Sequence, residues 1–141
     1  MSEIQRGARD ELLVVSKAYP AAGASSVTAS IDLGVLAGGE VPKGAEFFVK
    51  FPASTTLVAT KKATATVQSS NDDGDSDSFA AVAELANKAI TGVSGNGNAE
   101  TIVYWPVPLD CERYARLSMA IEAAGGDLTA LSYEFGVICN R

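Results

Sequence analysis

Tyr114-Ala115-Arg116-Leu117-Ser118-Met119-Ala120-Ile121-Glu122-Ala123, then Gly125-Gly126-Asp127, then Leu131-Ser132-Tyr133-Glu134-Phe135-Gly136-Val137-Ile138-Cys139, is the stretch that decides the fold class. In its first run Ala115, Leu117, Met119, Ile121 and Ala123 alternate with Tyr114, Arg116, Ser118, Ala120 and Glu122, the period of a strand with one buried and one wet face. Leu131, Tyr133, Phe135, Val137 and Cys139 alternate again in the second run. The glycines between them supply the positive φ of a tight reversal, so the two runs are expected as a hairpin. Just upstream, residues 102–107 (IVYWPV) are β-branched and aromatic. Pro106 and Pro108 deny backbone donors, which places this run at a sheet edge or at its end.

Working outward, Val27, Ala29, Ile31, Leu33 and Val35 alternate with Ser26, Thr28, Ser30 and Asp32, predicting one long half-buried strand. Residues 37–44 (AGGEVPKG) form a turn or loop by their glycines and proline. Ala45, Phe47, Val49 and Phe51 resume the period of two, and Phe48 interrupts the polar face between Glu46 and Lys50, as an aromatic bound to a second layer or another chain does. Residues 55–60 and 63–69 are rich in Thr, Ala and Val and predict two short strands around Lys61 and Lys62. In residues 79–90 (FAAVAELANKAI), Phe79, Val82, Ala83, Ala86 and Ile90 mark a helical stripe and Glu84 with Lys88 an i,i+4 pair. A short helix or an irregular crossing is expected there. Residues 91–100 (TGVSGNGNAE) read as a loop.

The amino-terminal residues 1–24 lack alternation. They carry mixed charge, an apolar knot Leu12-Leu13-Val14-Val15, then Tyr19-Pro20 and Gly23. Two readings stay open: a frayed terminus with one anchoring strand or turn of helix, or an arm that lies across a neighbouring subunit. The chain therefore divides into an arm or lead-in over 1–24 and a single β-sandwich domain over 25–141.

With 141 residues, of which 47% are hydrophobic, the chain fits one domain that buries roughly two-thirds of its unfolded surface. A net charge of −6 with scattered Lys and Arg argues against nucleic-acid binding. Neither a secretion signal nor an 18-residue apolar run is found, so no membrane span is expected and the protein is expected in a cytoplasm. Histidine is absent, which removes Ser-His-Asp and Cys-His nucleophile systems and His-containing zinc sites. The acidic residues fall in loops or on wet faces, and Asp110 and Glu112 beside Cys111 read as a polar turn. No enzyme, catalytic residue or cofactor is expected.

Residues 69–78 (SSNDDGDSDS) are the most acidic stretch. Asp73, Asp75, Asp77 and Glu84 fall at the carboxylate offsets of a calcium loop. Ser78 stands where such a loop needs Gly, and no helix precedes it, so a solvated inter-strand loop is preferred to a metal site. For the two cysteines, the hairpin register with Ala123 opposite Leu128 brings Cys111 within one step of Cys139. A disulfide and a pair of reduced thiols both stay open.

Pro108-Leu109-Asp110-Cys111-Glu112-Arg113-Tyr114-Ala115-Arg116-Leu117, followed by a Gly turn and one further strand, resembles the capsid cement (decoration) proteins of tailed bacteriophages, the Bordetella-phage type. The likeness extends in layout over most of the chain: a short lead-in, a long first strand, a Gly/Pro turn, a Phe-rich strand, a polar loop and the Arg-Tyr hairpin. It implies an all-β sandwich of jelly-roll type on the outer surface of the phage head, made in the host cytoplasm. It also implies a structural role: locking neighbouring major capsid subunits together, as a dimer or trimer, and stabilising the expanded capsid. The alternatives are a fibre or tail component, or a virion-surface carbohydrate-binding module with Trp105 or Tyr104 stacked on a sugar. Interfaces favour aromatic residues and Arg, so the candidate contact residues are Leu12, Leu13, Val14, Val15, Tyr19, Phe48, Arg113, Tyr114 and Arg116. Arg113 and Arg116 are alternatively expected to pair with Glu122 or Glu134.

Overall fold

A computed structural model of the chain describes residues 9–33, 45–108 and 111–139. They form ten strands: β1 (Arg9–Ala18), β2 (Ser25–Val27), β3 (Ile31–Asp32), β4 (Ala45–Phe51), β5 (Lys62–Ser70), β6 (Ala80–Ala81), β7 (Lys88–Thr91), β8 (Thr101–Pro106), β9 (Tyr114–Ile121) and β10 (Ser132–Cys139). The strands make two antiparallel sheets packed face to face, an all-β sandwich. Sheet A has the order β1-β10-β4-β8. In sheet B the central pair is β9 and β5; β2 and β3 lie along the outer side of β9, and β6 and β7 along the outer side of β5.

Alternation decides which side chains meet between the sheets. Sheet A contributes aromatic bulk, with Phe47, Phe51, Tyr133 and Phe135 fully buried and the rings of Phe47 and Phe135 stacked at 5.5 Å. Sheet B answers with small and flexible side chains, Ala63, Ala65 and Ala115 beside Leu117 and Met119, each at 0% exposure. Large residues facing small ones let the layers interdigitate at the density a protein interior requires. Truncating one of these rings to Ala costs about 3–5 kcal/mol. Trp105 joins the same core at 2% exposure.

Four sequence expectations are corrected. The runs 114–123 and 131–139 are both strands, but not a hairpin: β9 pairs with β5 in sheet B, whereas β10 pairs with β1 and β4 in sheet A. Their connection crosses from one sheet to the other, and Gly126 (φ +97°) turns beneath the loop that follows β4, where an added Cβ would lie 2.2 Å from the Thr56 carbonyl oxygen. The register that set Cys111 against Cys139 therefore does not exist. Cys139 is instead aligned with Ala45, whose carbonyl accepts from Val107 N at 3.0 Å, so the two cysteines approach the same end of the sandwich by a different route.

The long strand expected from Ser26 to Val35 is broken. Val27 pairs with Ser118 and Ile31 with Ala115, so four steps on one strand meet three on the other, which is a β-bulge. The bulge turns Thr28 inward and leaves Val27 37% exposed. Thr28 then serves as a substitute rung: its N–H donates to Leu117 O, and its Oγ1 accepts from Leu117 N, each at 3.0 Å.

No helix forms over residues 79–90. The outer side of β5 needs backbone partners, and β6 and β7 supply them through Gln68 with Ala81 and Ala63 with Ile90. Sheet completion overrides the helical propensity of the alanines. A turn between these strands, closed by Leu85 N to Val82 O at 3.1 Å, buries Val82 and Leu85. Residues 55–60 are likewise not a strand. They form a loop pinned by Leu57 at 0% exposure and by isolated bridges from Ser54 to Asn98 and from Ala59 to Gly92.

The edge position expected for residues 102–107 agrees with β8, which ends sheet A beside β4. Of the two readings of the amino-terminal segment, residues 9–18 follow the anchoring strand. They pair with β10 from Arg9 opposite Ile138 to Ala18 opposite Ser132, with a register shift between Arg9 and Val14.

Candidate contact surfaces

The segment that enters β9 carries two arginines, and the sheet gives each a partner. Arg113 N ε donates to Asp32 Oδ1 at 2.8 Å and its Nη2 to Asp32 Oδ2 at 2.9 Å, a two-pronged fit of guanidinium to carboxylate. The cation lies 5.1 Å from the ring centroid of Tyr114. The carboxylate bonds and charge of Asp32 raise the already high guanidinium pKa. Arg116 donates from Nε to Gln68 Oε1 at 2.8 Å and stacks 4.2 Å over Phe79, a cation–π contact. The expected pairing of these arginines with Glu122 or Glu134 is therefore corrected. Glu122 turns to Lys61 at 3.8 Å and accepts from Lys62 N at 3.0 Å, and Glu134 lies in the other sheet. Arg113, Tyr114 and Arg116 do form one side of a surface, from exposed to half-buried. Its exposed ion pair adds little to stability.

The other contact candidates separate. Tyr19 is 2% exposed, packed against Tyr133 with ring centroids at 5.4 Å, and is a core residue. Phe48 faces away from the core cluster yet is only 2% exposed; it is aligned with Gly136 on one side and Tyr104 on the other. Neither is an accessible contact. Val14 is half-buried, and Val15 is half-buried against the core. The side chains of Leu12 and Leu13 lie outside the described residues. Exposed large apolar side chains among the described residues are instead Val27, Val93 (55%), Ile102 (42%) and Tyr104 (45%), the last two side by side on the outer face of β8. Ile102 was legible only as part of an edge strand; the proline spacing that marks the edge also marks this face.

Trp105 is not available as a surface ring. Its indole N–H donates to Ala86 O at 2.6 Å, and Lys88 sits 6.0 Å from the ring. The carboxylates considered for calcium are not brought together: among the described residues no group of three or more His, Cys, Asp or Glu forms a metal-holding set. Asp73 accepts from Ser30 Oγ at 2.6 Å and Asp77 from Asn71 N at 2.8 Å, and Glu84 lies in the turn between β6 and β7. The organiser of this loop is Asp72, which spacing did not single out. Its carboxylate accepts from Ser76 N at 2.8 Å and Asp77 N at 3.0 Å, and these backbone bonds hold it below the usual carboxylate range.

Cys111 is half-buried and packs against the core. Beside it Ser69 donates to Glu112 at 3.0 Å; Asp110, the other acid of the polar turn expected there, lies outside the described residues. At the far end of the sandwich an open, mostly apolar cleft of about 420 Å³ lies between Ala53–Thr56 and Asp127–Leu131. Its one carboxylate, Asp127, is engaged by Thr129 Oγ1 at 2.6 Å and Thr129 N at 3.0 Å, which lowers its pKa. No helix among the described residues is long and apolar enough to cross a membrane. Neither a protein-family model nor a curated protein matches the chain.

Proposed function

We propose that this chain is a structural protein of a tailed-phage virion that binds the exterior of the head, cements neighbouring major capsid subunits and stabilises the expanded shell. The observation that carries the reading is the nested strand pairing, joined to the likeness of residues 108–117. The first strand lies beside the last (β1 with β10), β2 and β3 beside β9, β4 beside β8, and β5 beside β6 and β7. Such nesting is what remains when one long antiparallel ribbon is rolled up, and it supports the jelly-roll winding that the resemblance implies. A sandwich of this kind hosts many functions, so the assignment to a capsid rests on the resemblance. Many modest contacts repeated over a symmetric shell supply the holding strength through effective concentration.

The carbohydrate-binding alternative required an exposed aromatic platform. Burial of Trp105 removes one of its two candidate rings, whereas Tyr104 is 45% exposed on the outer face of β8; the apolar cleft has no aromatic wall. The test is co-sedimentation of the purified protein with expanded capsids that lack it. Saturable binding at a fixed ratio to the major capsid protein, with capsids gaining heat resistance, is expected. Absence of binding overturns the proposal.

A further inference from the structure

β8 is the outermost strand of sheet A, bonded to β4 on one side. Val107 N donates to Ala45 O of the segment entering β4. Amides along an antiparallel strand point alternately to either side, so those of Val103 and Trp105 also face β4. The N–H and C=O groups of Ile102 and Tyr104 face outward, and the same two residues carry the exposed apolar side chains. Natural sheets guard such edges with charge, bulges or proline. From Thr101 to Trp105 this strand is uncharged and its register with β4 is unbroken, and its one guard is Pro106 at the end.

We propose that this edge pairs antiparallel with the same edge of a second copy of the chain, about a two-fold axis at Val103. Ile102 N–H then donates to Tyr104 O of the second copy and Tyr104 N–H to Ile102 O, and the symmetry repeats both bonds. Val103 meets its own counterpart on the axis. On the outer face Ile102 lies across from Tyr104 of the second copy, an aliphatic–aromatic pair of the kind that stabilises sheets. Pro106, which has no N–H, falls opposite Glu100 at the margin, where it ends the ladder without interrupting it. The nearest charges cause no repulsion at the axis, because Glu100 pairs with Lys50 of its own chain at 3.6 Å. A second copy is favoured over an unrelated strand because one short segment supplies every donor, acceptor and apolar partner in self-complementary order. The pairing holds whether or not the chain binds a capsid.

Sedimentation velocity of the full chain from about 1 to about 500 µM tests it, a range suited to an interface of small area. A concentration-dependent monomer–dimer equilibrium is expected. Tyr104→Pro removes an outward amide while leaving the bonds to β4 in place, so it weakens the dimer at least about tenfold without unfolding the monomer. Should that variant fail to fold, Val103→Cys reads the register independently. A non-hydrogen-bonded pair on the axis brings the two Cα atoms to about 4.5 Å, within disulfide reach, so mild oxidation cross-links this variant beyond the parent chain, and Glu100→Cys does not cross-link. A chain that stays monomeric throughout overturns the proposal, even if Tyr104→Pro abolishes capsid attachment, which would assign the edge to a strand of another protein. A dimer that Tyr104→Pro leaves intact and Val103→Cys fails to cross-link overturns it equally.

Discussion

Removing one oxygen atom from the core stabilises this protein. The Tyr19 hydroxyl is buried and has no hydrogen-bond partner among the described residues, and burial together with the nearby Tyr133 hydroxyl pushes its pKa far above the ordinary tyrosine value. An unsatisfied buried hydroxyl costs about 1–3 kcal/mol. Tyr19→Phe relieves that cost, keeps the ring packed on Tyr133, and leaves a void the size of one oxygen, worth about 0.3–0.5 kcal/mol. The net expectation is a gain of about 1 kcal/mol, or about 3 °C in Tm for a domain of this length. Tyr133 is the internal control. Its hydroxyl lies 3.0 Å from Ser26 Oγ, so Tyr133→Phe breaks a bond and loses about 1 kcal/mol. Urea unfolding at neutral pH, with m-values compared to exclude changes in the unfolded state, measures both. If Tyr19→Phe instead loses 1 kcal/mol or more, the hydroxyl has a partner such as a trapped water, and the reasoning fails.

The same two tyrosines set an alkaline limit. Both have folded-state pKa values raised by burial, so stability is full below about pH 10 and falls as pH rises beyond the unfolded value; alkaline melts of Tyr19→Phe should show a shallower fall, and an identical slope would refute the assignment. Thr28→Val strands the Leu117 amide at the bulge and should cost about 1–3 kcal/mol by urea unfolding. Gly126→Ala drives a Cβ into Thr56 O at a positive φ and should cost more than about 2 kcal/mol, whereas Gly95→Ala, with open space around it, pays only the backbone strain. Calcium and EDTA should leave Tm unchanged, because the loop after β5 is closed by Asp72; protection factors at the Ser76 and Asp77 amides, corrected for the pH dependence of intrinsic exchange, should hold above the ordinary carboxylate range and drop as Asp72 is protonated below it. A Tm shift with calcium that EDTA reverses would instead establish a metal site.

Alternation in the sequence located most of the strands because it reports which side chains face inward. It was silent on pairing. Residues 114–123 and 131–139 looked like a hairpin because both have one apolar face, but that face is equally satisfied when the strands stand in opposite sheets across the core. The glycines of 125–126 marked a reversal without revealing that it passes between layers. Thr28 falls on the polar side of the alternation, where a hydroxyl signals wet surface and gives no sign that it serves as a ladder partner for Leu117. The helical stripe in residues 79–90 was genuine as a pattern, but the unpaired side of β5 is a long-range demand that no local window contains. The contact candidates failed for a related reason: Tyr19 and Phe48 are aromatic enough for an interface, and only tertiary packing shows that both are already covered. Arg113, Tyr114 and Arg116 were found together because their spacing on one strand is local.

The interrupted borders of sheet B bear on how the protein tolerates crowding. Along β9 the outer row is split by the bulge at Thr28, and along β5 it is split by the turn between β6 and β7. An incoming strand would find only two to four consecutive residues to copy before the template bends away, too few to seed cross-β growth. If β8 is occupied by its own counterpart, the long border left among the described residues is β1, itself irregular between Arg9 and Val14. Surface residues along sheet B are therefore free to vary without opening a route to strand addition there.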